Sequence, residues 1–221
     1  IDTNGFVRLD ASYLGDGHVI KQKVPLSKDG EWPLYVPLYA TMDQYVTNIV
    51  KGLEVVKTNR EYQGLLLGWM TFSTNAPGVT NMAPAGTLSW IKTGWTNAHY
   101  AAGFTNDFAA TASRYTPPAL LARAVGLTNV TVSFGDGNLS GPLAQTGILS
   151  EKNGFVPDAP NPQSVKLSIA AKTGQIKGVF LHPDNSGAAT KFNGVVLQEQ
   201  KIGFGNFLGT NQSGGVVLGT D

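Results

Sequence analysis

Three histidines are the first residues to consider for catalysis or metal binding. His18, His99 and His182 are far apart in sequence, and each lies in or beside a predicted turn. A zinc site brings several ligands to one point, usually with short spacings between some of them. No two of these histidines have such a spacing. The pattern predicts three solvent-exposed loop histidines, no metal site and no cofactor.

The carboxylates offer two further kinds of chemistry. Glycoside hydrolysis needs two carboxyl groups facing one cleft, and a calcium loop needs several acidic oxygens at close spacing. Asp16 and Asp136 each lie between two glycines, but the alternating acids of a calcium loop do not follow. The simpler interpretation is an aspartate that stabilises its own turn. Gly-x-Ser-x-Gly, the usual signature of a nucleophile elbow, is also missing. We therefore expect no catalytic residue; if the chain is an enzyme, glycoside hydrolysis is the favoured class.

Aromatic side chains are stronger candidates for binding a ligand or a partner. The candidate contact residues are Trp32, Tyr35, Tyr39, Trp95 and Tyr100. Flat exposed rings in a glycine- and asparagine-rich setting stack on sugars or bury into a partner protein. The alternative is that Trp32, Trp69 and Trp90 fill the interior of the fold.

The elements that would position these residues are short strands separated by turns. Residues 6–10 and 127–134 alternate apolar and polar side chains, as a half-buried strand does. A Gly-Asp-Gly turn follows each of them, at 15–17 and at 135–137. Together with a Lys-x-Gly turn in each half, this repetition favours an internal duplication, although chance similarity between glycine-rich segments is a serious alternative.

The segment SKDGEWPLYVPLY, residues 27–39, is the most informative local pattern. Its Lys-Asp-Gly turn leads into closely spaced apolar and aromatic residues, and Pro33 and Pro37 exclude a helix. Proline within a sheet is largely confined to edge strands. The sequence predicts an extended, partly buried strand at a sheet edge.

Residues 41–58 break the strand pattern. Apolar residues at helical spacing and a Thr41–Gln44 capping box favour a short helix. The β-branched residues and Gly52 favour instead a hairpin that turns at Lys51–Gly52. We predict the helix and keep the hairpin as the alternative.

Both chain ends have strands with few charges. Such strands lack the charged residues that protect a sheet edge, and an open edge invites pairing with another subunit. The candidate assembly residues are Ile1, Phe6, Val7, Phe204, Phe207, Val216 and Val217. The alternative for the C-terminal run is an ordinary internal strand.

Composition narrows the class of protein. The 221 residues include 42% hydrophobic residues, 14% charged residues and no cysteine, with a net charge of +1. The charged fraction is well below the roughly 25% of an average domain, and no basic run suggests a nucleic-acid partner. Disulfides are excluded, and no apolar run is long enough for a membrane span. The first residue, Ile1, is what we expect of a processed fragment.

Nearly the whole chain resembles one family. The motifs KDGEWPLY, AAKTGQIKGVFLHP and FLGTNQSGGVVL, in this order, are similar to those of the C-terminal β-domain of large secreted bacterial proteins with Ig-like or propeller repeats upstream. The resemblance implies an extracellular, C-terminal module without established catalytic residues. The segment between Tyr39 and Gly64 is longer than in the family pattern, which marks it as a place for an individual function.

These observations predict one all-β domain over residues 1–221, with related halves at about 1–92 and 127–221. We expect a single antiparallel barrel or sandwich of about ten strands, with a helical insertion near 41–58. The predicted function is a non-catalytic extracellular or cell-surface structural module that forms homo-oligomers or polymers, such as a filament or surface-layer subunit. The alternative is a carbohydrate-binding module that uses exposed aromatic residues to bind surface polysaccharide.

Overall fold

The computed structural model describes residues 1–41, 44–72, 84–94 and 99–220. Within these residues the chain forms strands, turns and loops and no helix. The strands are β1 (Phe6–Tyr13), β2 (Val19–Pro25), β3 (Glu31–Ala40), β4 (Gln44–Val50), β5 (Leu53–Asn59), β6 (Tyr62–Phe72), β7 (Pro84–Lys92), β8 (Phe104–Thr111), β9 (Asn129–Asp136), β10 (Leu143–Leu149), β11 (Phe155–Pro157), β12 (Lys166–Ala170), β13 (Gln175–His182), β14 (Ala188–Leu197), β15 (Ile202–Leu208) and β16 (Ser213–Gly219). The all-β class is as predicted, with sixteen described strands in place of about ten.

The second half of the chain forms an eight-stranded antiparallel sheet that is nearly closed, and we call it the barrel. Its strand order is β11-β10-β9-β16-β15-β14-β13-β12. The two end strands approach each other where Ile169 N donates to the carbonyl oxygen of Asn153, at 2.8 Å. Alternating residues point inward, and Phe134, Phe180 and Phe192 are 0–2% exposed. Their rings pack 4.4–6.4 Å apart, which makes an aromatic centre for the barrel.

The first half contains a four-stranded antiparallel sheet in the order β3-β6-β7-β8. The edge position of β3, predicted from its two prolines, is confirmed. Trp32, Leu34, Val36 and Leu38 alternate inward along this strand and are at most 8% exposed. Gln22 in β2 covers part of the open edge, because its amide Nε2 donates to the backbone oxygens of β3 at residues 33 and 35, at 3.1 and 3.2 Å.

The two halves have separate hydrophobic clusters. One contains buried residues of β1, β2, β3, β6 and β7, and the other fills the barrel. Polar contacts link the two halves. Asn206 Nδ2 donates to the carbonyl oxygens of Leu14 and Gly15, and Ser213 N donates to the Tyr100 hydroxyl at 3.0 Å. We call this set of contacts the junction. A single domain over residues 1–221 and an internal duplication both stay predictions.

The predicted helix at 41–58 is wrong, and the hairpin alternative is what the structure contains. β4 and β5 pair from Gln44↔Asn59 to Val50↔Leu53. Lys51 and Gly52 form the two-residue turn, with φ of 52° and 79°. Two positive φ values are characteristic of the turn that matches strand twist in tight hairpins. The β-branched residues, which suit extended backbone, decide against the helix.

The C-terminal run forms ordinary internal strands, which were the alternative to an open edge in the sequence analysis. β15 lies between β14 and β16, and β16 lies between β15 and β9, so both strands have partners on both sides. Barrel formation uses the low-charge C-terminal strands as internal strands, where charged residues would be costly on the inward face. Their backbone groups are therefore not free to pair with another subunit.

Candidate functional site

Among the described residues of the first half, the β4–β5 hairpin, residues 44–59, exposes the largest group of apolar side chains, and we call this hairpin the arm. The two strands form a two-stranded sheet of their own, and no other described strand pairs with either. Seven residues per strand correspond to roughly 24 Å of extended chain. Among the described residues, both outer edges of the arm are therefore unpaired, and the arm has two faces.

Large apolar side chains project from both faces of the arm. Tyr45, Ile49 and Val56 lie on one face, and Val50, Leu53 and Val55 lie on the other, as the register and the alternation of strands require. Their exposed fractions run from 37% for Val55 to 76% for Ile49. Scattered exposed apolar residues are normal, but a contiguous cluster marks an interaction surface.

A buried polar cluster lies where the arm joins the body, and we call it the root cluster: Asp16, Tyr39, Trp90 and Lys92. The Tyr39 hydroxyl donates to Asp16 Oδ2 at 2.6 Å, and Lys92 Nζ lies 2.9 Å from the same oxygen. Trp90 Nε1 in turn donates to the Tyr39 hydroxyl at 2.9 Å. Tyr39 has a φ of 56°, in the left-handed region, one residue before β3 ends at Ala40 and the arm begins beyond it.

Electrostatics explains why these groups are stable inside the protein. The side chains of Lys92 and Asp16 are 6% and 3% exposed. Burial acts to raise the pKa of Asp16, but hydrogen bonds from Tyr39, Lys92 and the His18 amide outweigh burial and hold that pKa below its ordinary value. Burial, together with the hydrogen bond to the Asp16 carboxylate, raises the pKa of Tyr39. The polar groups bond to one another, which suits a structural link between the arm, the β1–β2 turn and β7.

The predicted aromatic contact residues do not form one surface. Trp32 is only 8% exposed, inside the first-half core. Tyr39 belongs to the root cluster, and the Tyr100 hydroxyl bonds to Ser213 at the junction. Tyr35 is 59% exposed on the outer face of β3. Trp95 lies outside the described residues.

The candidate assembly residues are also dispersed. Ile1 is 54% exposed and Val7 is buried at 5%, while Phe6 is partly exposed in β1. In the barrel strands, Phe207 and Val216 point inward and are at most 3% exposed, whereas Phe204 points outward and is 45% exposed. Val217 is partly exposed on the same outer face, directly opposite Phe204.

Trp69 and His182 are placed differently from the sequence prediction. Trp69, assigned to the interior in one alternative, is 58% exposed on the outer face of β6. Its neighbour Met70 is the inward residue, a strand alternation that could have been read from GLLLGWMTF. His182, predicted to be exposed, is 0% exposed, with Nε2 2.9 Å from the Gly137 carbonyl oxygen. The aromatic rings of the barrel bury it.

Metal-binding groups and membrane-spanning helices are both absent from the described parts of the chain. No group of three or more His, Asp or Glu side chains there is arranged to hold a metal ion. No helix among those residues is long and apolar enough to span a membrane.

Comparison with known proteins gives no match. No family model, no curated protein and no solved structure matches this sequence or fold.

Proposed function

We propose that this chain is a non-catalytic extracellular structural module that assembles with copies of itself through the arm. The observation that carries the proposal is the arm's exposure: six large apolar side chains, on two faces, in a hairpin with two open edges. A filament or surface-layer subunit, or a cell-surface attachment domain, would use such an element.

Burying the exposed apolar side chains of the arm against a partner is expected to be favourable in free energy. An isolated two-stranded hairpin is at best marginally stable in water. Burying one aliphatic side chain completely contributes about 1.5–3 kcal/mol, so covering the half-exposed residues of the arm contributes roughly 1 kcal/mol for each of them. A partner surface therefore stabilises the arm as well as the complex.

A second copy of the chain is the partner that the two unpaired edges of the arm support. Opposite the free edge of β4, an antiparallel β4 from another copy would extend the sheet by a two-fold contact, and the free edge of β5 could do the same. Two different two-fold contacts on one subunit generate a linear polymer rather than a closed dimer. The arm has only Lys51, Glu54 and Lys57 as charged residues, so repulsion between arms is small.

An extracellular location is supported by the sequence. The charged fraction is low, cysteine is absent, and the motifs resemble a C-terminal domain of secreted bacterial proteins. The arm also coincides with the segment that is longer than the family pattern.

The test is the mass of the purified chain by light scattering over a concentration series, with negative-stain microscopy of the same samples. We expect mass to rise with concentration and the variant I49K/L53K to stay monomeric. Both residues are more than 70% exposed, so the substitutions do not disturb a core.

The matched control is I148K/V156K, which places the same charges on an exposed apolar pair at the end of the barrel sheet, where the two residues face each other across β10 and β11. It is expected to assemble like the unmodified chain. A chain that is monomeric at every concentration, or an arm variant that assembles normally, would contradict the proposal.

A further inference from the structure

A groove of about 710 Å³ runs between the β1 strand and the outer face of the barrel. Asp10 and Tyr13 of β1 form one wall. The barrel contributes Lys177 of β13, Asn193 of β14, and Phe204 and Asn206 of β15. This volume lies within the roughly 300–1,000 Å³ of ligand sites in proteins.

Strand register places a polar row beside an apolar row on the barrel wall. Lys177, Asn193 and Asn206 face one another across β13, β14 and β15. Two residues along each strand, Val195 and Phe204 form the neighbouring outward row. The groove therefore offers amide and ammonium groups next to an exposed ring.

The opposite wall is fixed in position by a side chain of the barrel. Asn206 Nδ2 donates to the backbone oxygens of Leu14 and Gly15, at 3.3 and 3.2 Å, directly after β1. Tyr13, which is 57% exposed, precedes this contact, and Phe204 is 45% exposed on the barrel side. Two exposed rings thus line the groove, one on each wall.

The groove is continuous with a second cavity on the barrel surface. This cavity, of about 390 Å³, shares Tyr13, Asn193 and Asn206 and extends toward Lys191 and Leu208. Two adjoining cavities with common lining residues suit an elongated ligand better than a compact one.

We propose that this groove binds a neutral oligosaccharide. Aromatic rings stack on the apolar faces of sugars, and amide and ammonium side chains hydrogen-bond to hydroxyl groups. Among the described residues that line the groove, Lys177 carries a single ammonium group, and the Asp10 carboxylate is itself paired with Arg8 and Lys21 at 2.9 and 3.7 Å. One lysine makes a weak site for a phosphate or another anionic ligand, and the polar row disfavours a lipid chain. The site is separate from the arm and uses residues other than the aromatic set predicted from the sequence, so it goes beyond the proposed assembly.

The experiment is a glycan array that covers neutral and acidic glycans, followed by calorimetric titration with the hexasaccharides of cellulose, xylan, mannan and chitin. We expect at least one neutral oligosaccharide to bind, and Y13A and F204A each to weaken binding at least tenfold. Both rings are largely exposed, and circular dichroism checks that each variant is folded.

The matched control is W69A, which removes a ring of similar exposure from another sheet and is expected to leave the affinity unchanged. The assembly variant I49K/L53K should bind sugar normally, so that failure of assembly and failure of sugar binding are distinguishable. Absence of binding to any neutral glycan, a preference restricted to acidic glycans, or normal affinity of both Y13A and F204A would overturn the proposal.

Discussion

The root cluster shows how a few residues connect distant parts of the sequence. Asp16, Tyr39 and Lys92 come from the β1–β2 turn, the end of β3 and the end of β7, and their side chains meet at one carboxylate oxygen. Lys92 Nζ also lies 4.5 Å from the centre of the Tyr39 ring, a cation–π distance. Since the charges are buried, removing one partner costs more than the pair contributes as a whole.

Replacing Asp16 and replacing Lys92 should lower the free energy of unfolding by different amounts. D16N leaves the Lys92 ammonium buried without a counter-charge and should lower the free energy of unfolding by about 3–5 kcal/mol. K92M leaves Asp16 with its Tyr39 and His18 donors and should cost about 1–3 kcal/mol. The double variant should be more stable than D16N. Urea unfolding measures all three, and D10N, at the exposed Arg8–Asp10 pair, is the control, with an expected change below about 1 kcal/mol.

The same series has a defined pH dependence. Because the folded-state pKa of Asp16 lies below its ordinary 3.8, the unfolded chain takes up the proton first as pH falls. The stability that ionised Asp16 contributes is present above about pH 4 and is lost below it. The difference between the unmodified chain and D16N should therefore shrink below pH 4. A difference that stays constant down to pH 2.5 would contradict the assigned role of Asp16.

The burial of a single side chain could be predicted from the sequence only where strand alternation determines which face of the sheet it occupies. Trp32 and Trp69 lie on neighbouring strands, β3 and β6, yet one is 8% and the other 58% exposed, because they occupy opposite faces of the sheet. The root cluster could not be predicted, since its members lie up to 76 residues apart and only the register of the sheets brings them together. The same holds for the groove, whose walls come from opposite ends of the chain.

At the scale of elements, the arm is the segment whose secondary structure was predicted wrongly from the sequence: a helix was expected and a hairpin is found. Its apolar residues satisfy a helical spacing, but seven of its sixteen residues are Val, Ile or Thr, which favour strands. A Lys-Gly pair is a weaker turn signal than Asn-Gly, which made the hairpin harder to recognise. The edge position of β3 was predictable, in contrast, because two prolines leave few other places in a sheet.

The turn of the arm gives a test of its intrinsic stability. Lys51 has a positive φ, which asparagine tolerates better than lysine. K51N should stabilise the arm by about 0.5–1 kcal/mol, which slows hydrogen exchange of its amides about two- to fivefold. Exchange is measured by mass spectrometry on the monomer at low concentration.

The comparison variant for the turn is G52A, because Gly52 also has a positive φ and open space around it. Alanine there has room but is strained, so arm amides should exchange faster, while those of β6 and β7 stay unchanged. Equal exchange rates of the arm amides in K51N, G52A and the unmodified chain would mean that the turn does not determine the stability of the arm.

At the scale of the whole molecule, the all-β class, the antiparallel pairing and the meander of β12 to β16 were predictable from local patterns. The division into two cores was not, because nothing in local alternation tells which strands share an interior. It depends on pairings such as that of β16 with β9, which join residues about 80 positions apart. Local alternation of apolar and polar residues determines where strands form, and the pairing register between distant strands determines which of them enclose a common core.

The junction determines whether two cores behave as one cooperative unit. Its hydrogen bonds include those of Tyr100 with Ser213 and of Asn206 with the backbone at Leu14 and Gly15. The Tyr100 amide also donates to the Asn211 carbonyl oxygen, and His99 Nε2 lies 3.2 Å from the Gly209 carbonyl oxygen. Each hydrogen bond contributes about 1 kcal/mol, and leaving a buried partner unsatisfied costs about 1–3 kcal/mol.

We predict that the unmodified chain unfolds in one calorimetric transition and that Y100F/N206A separates it into two. Y115F, which removes a hydrogen bond from the Tyr115 hydroxyl to the Ala171 carbonyl oxygen within the barrel half, should lower the transition temperature without splitting it. Two transitions in the unmodified chain would show that the junction does not couple the cores, and residues 1–221 would then be two domains in contact.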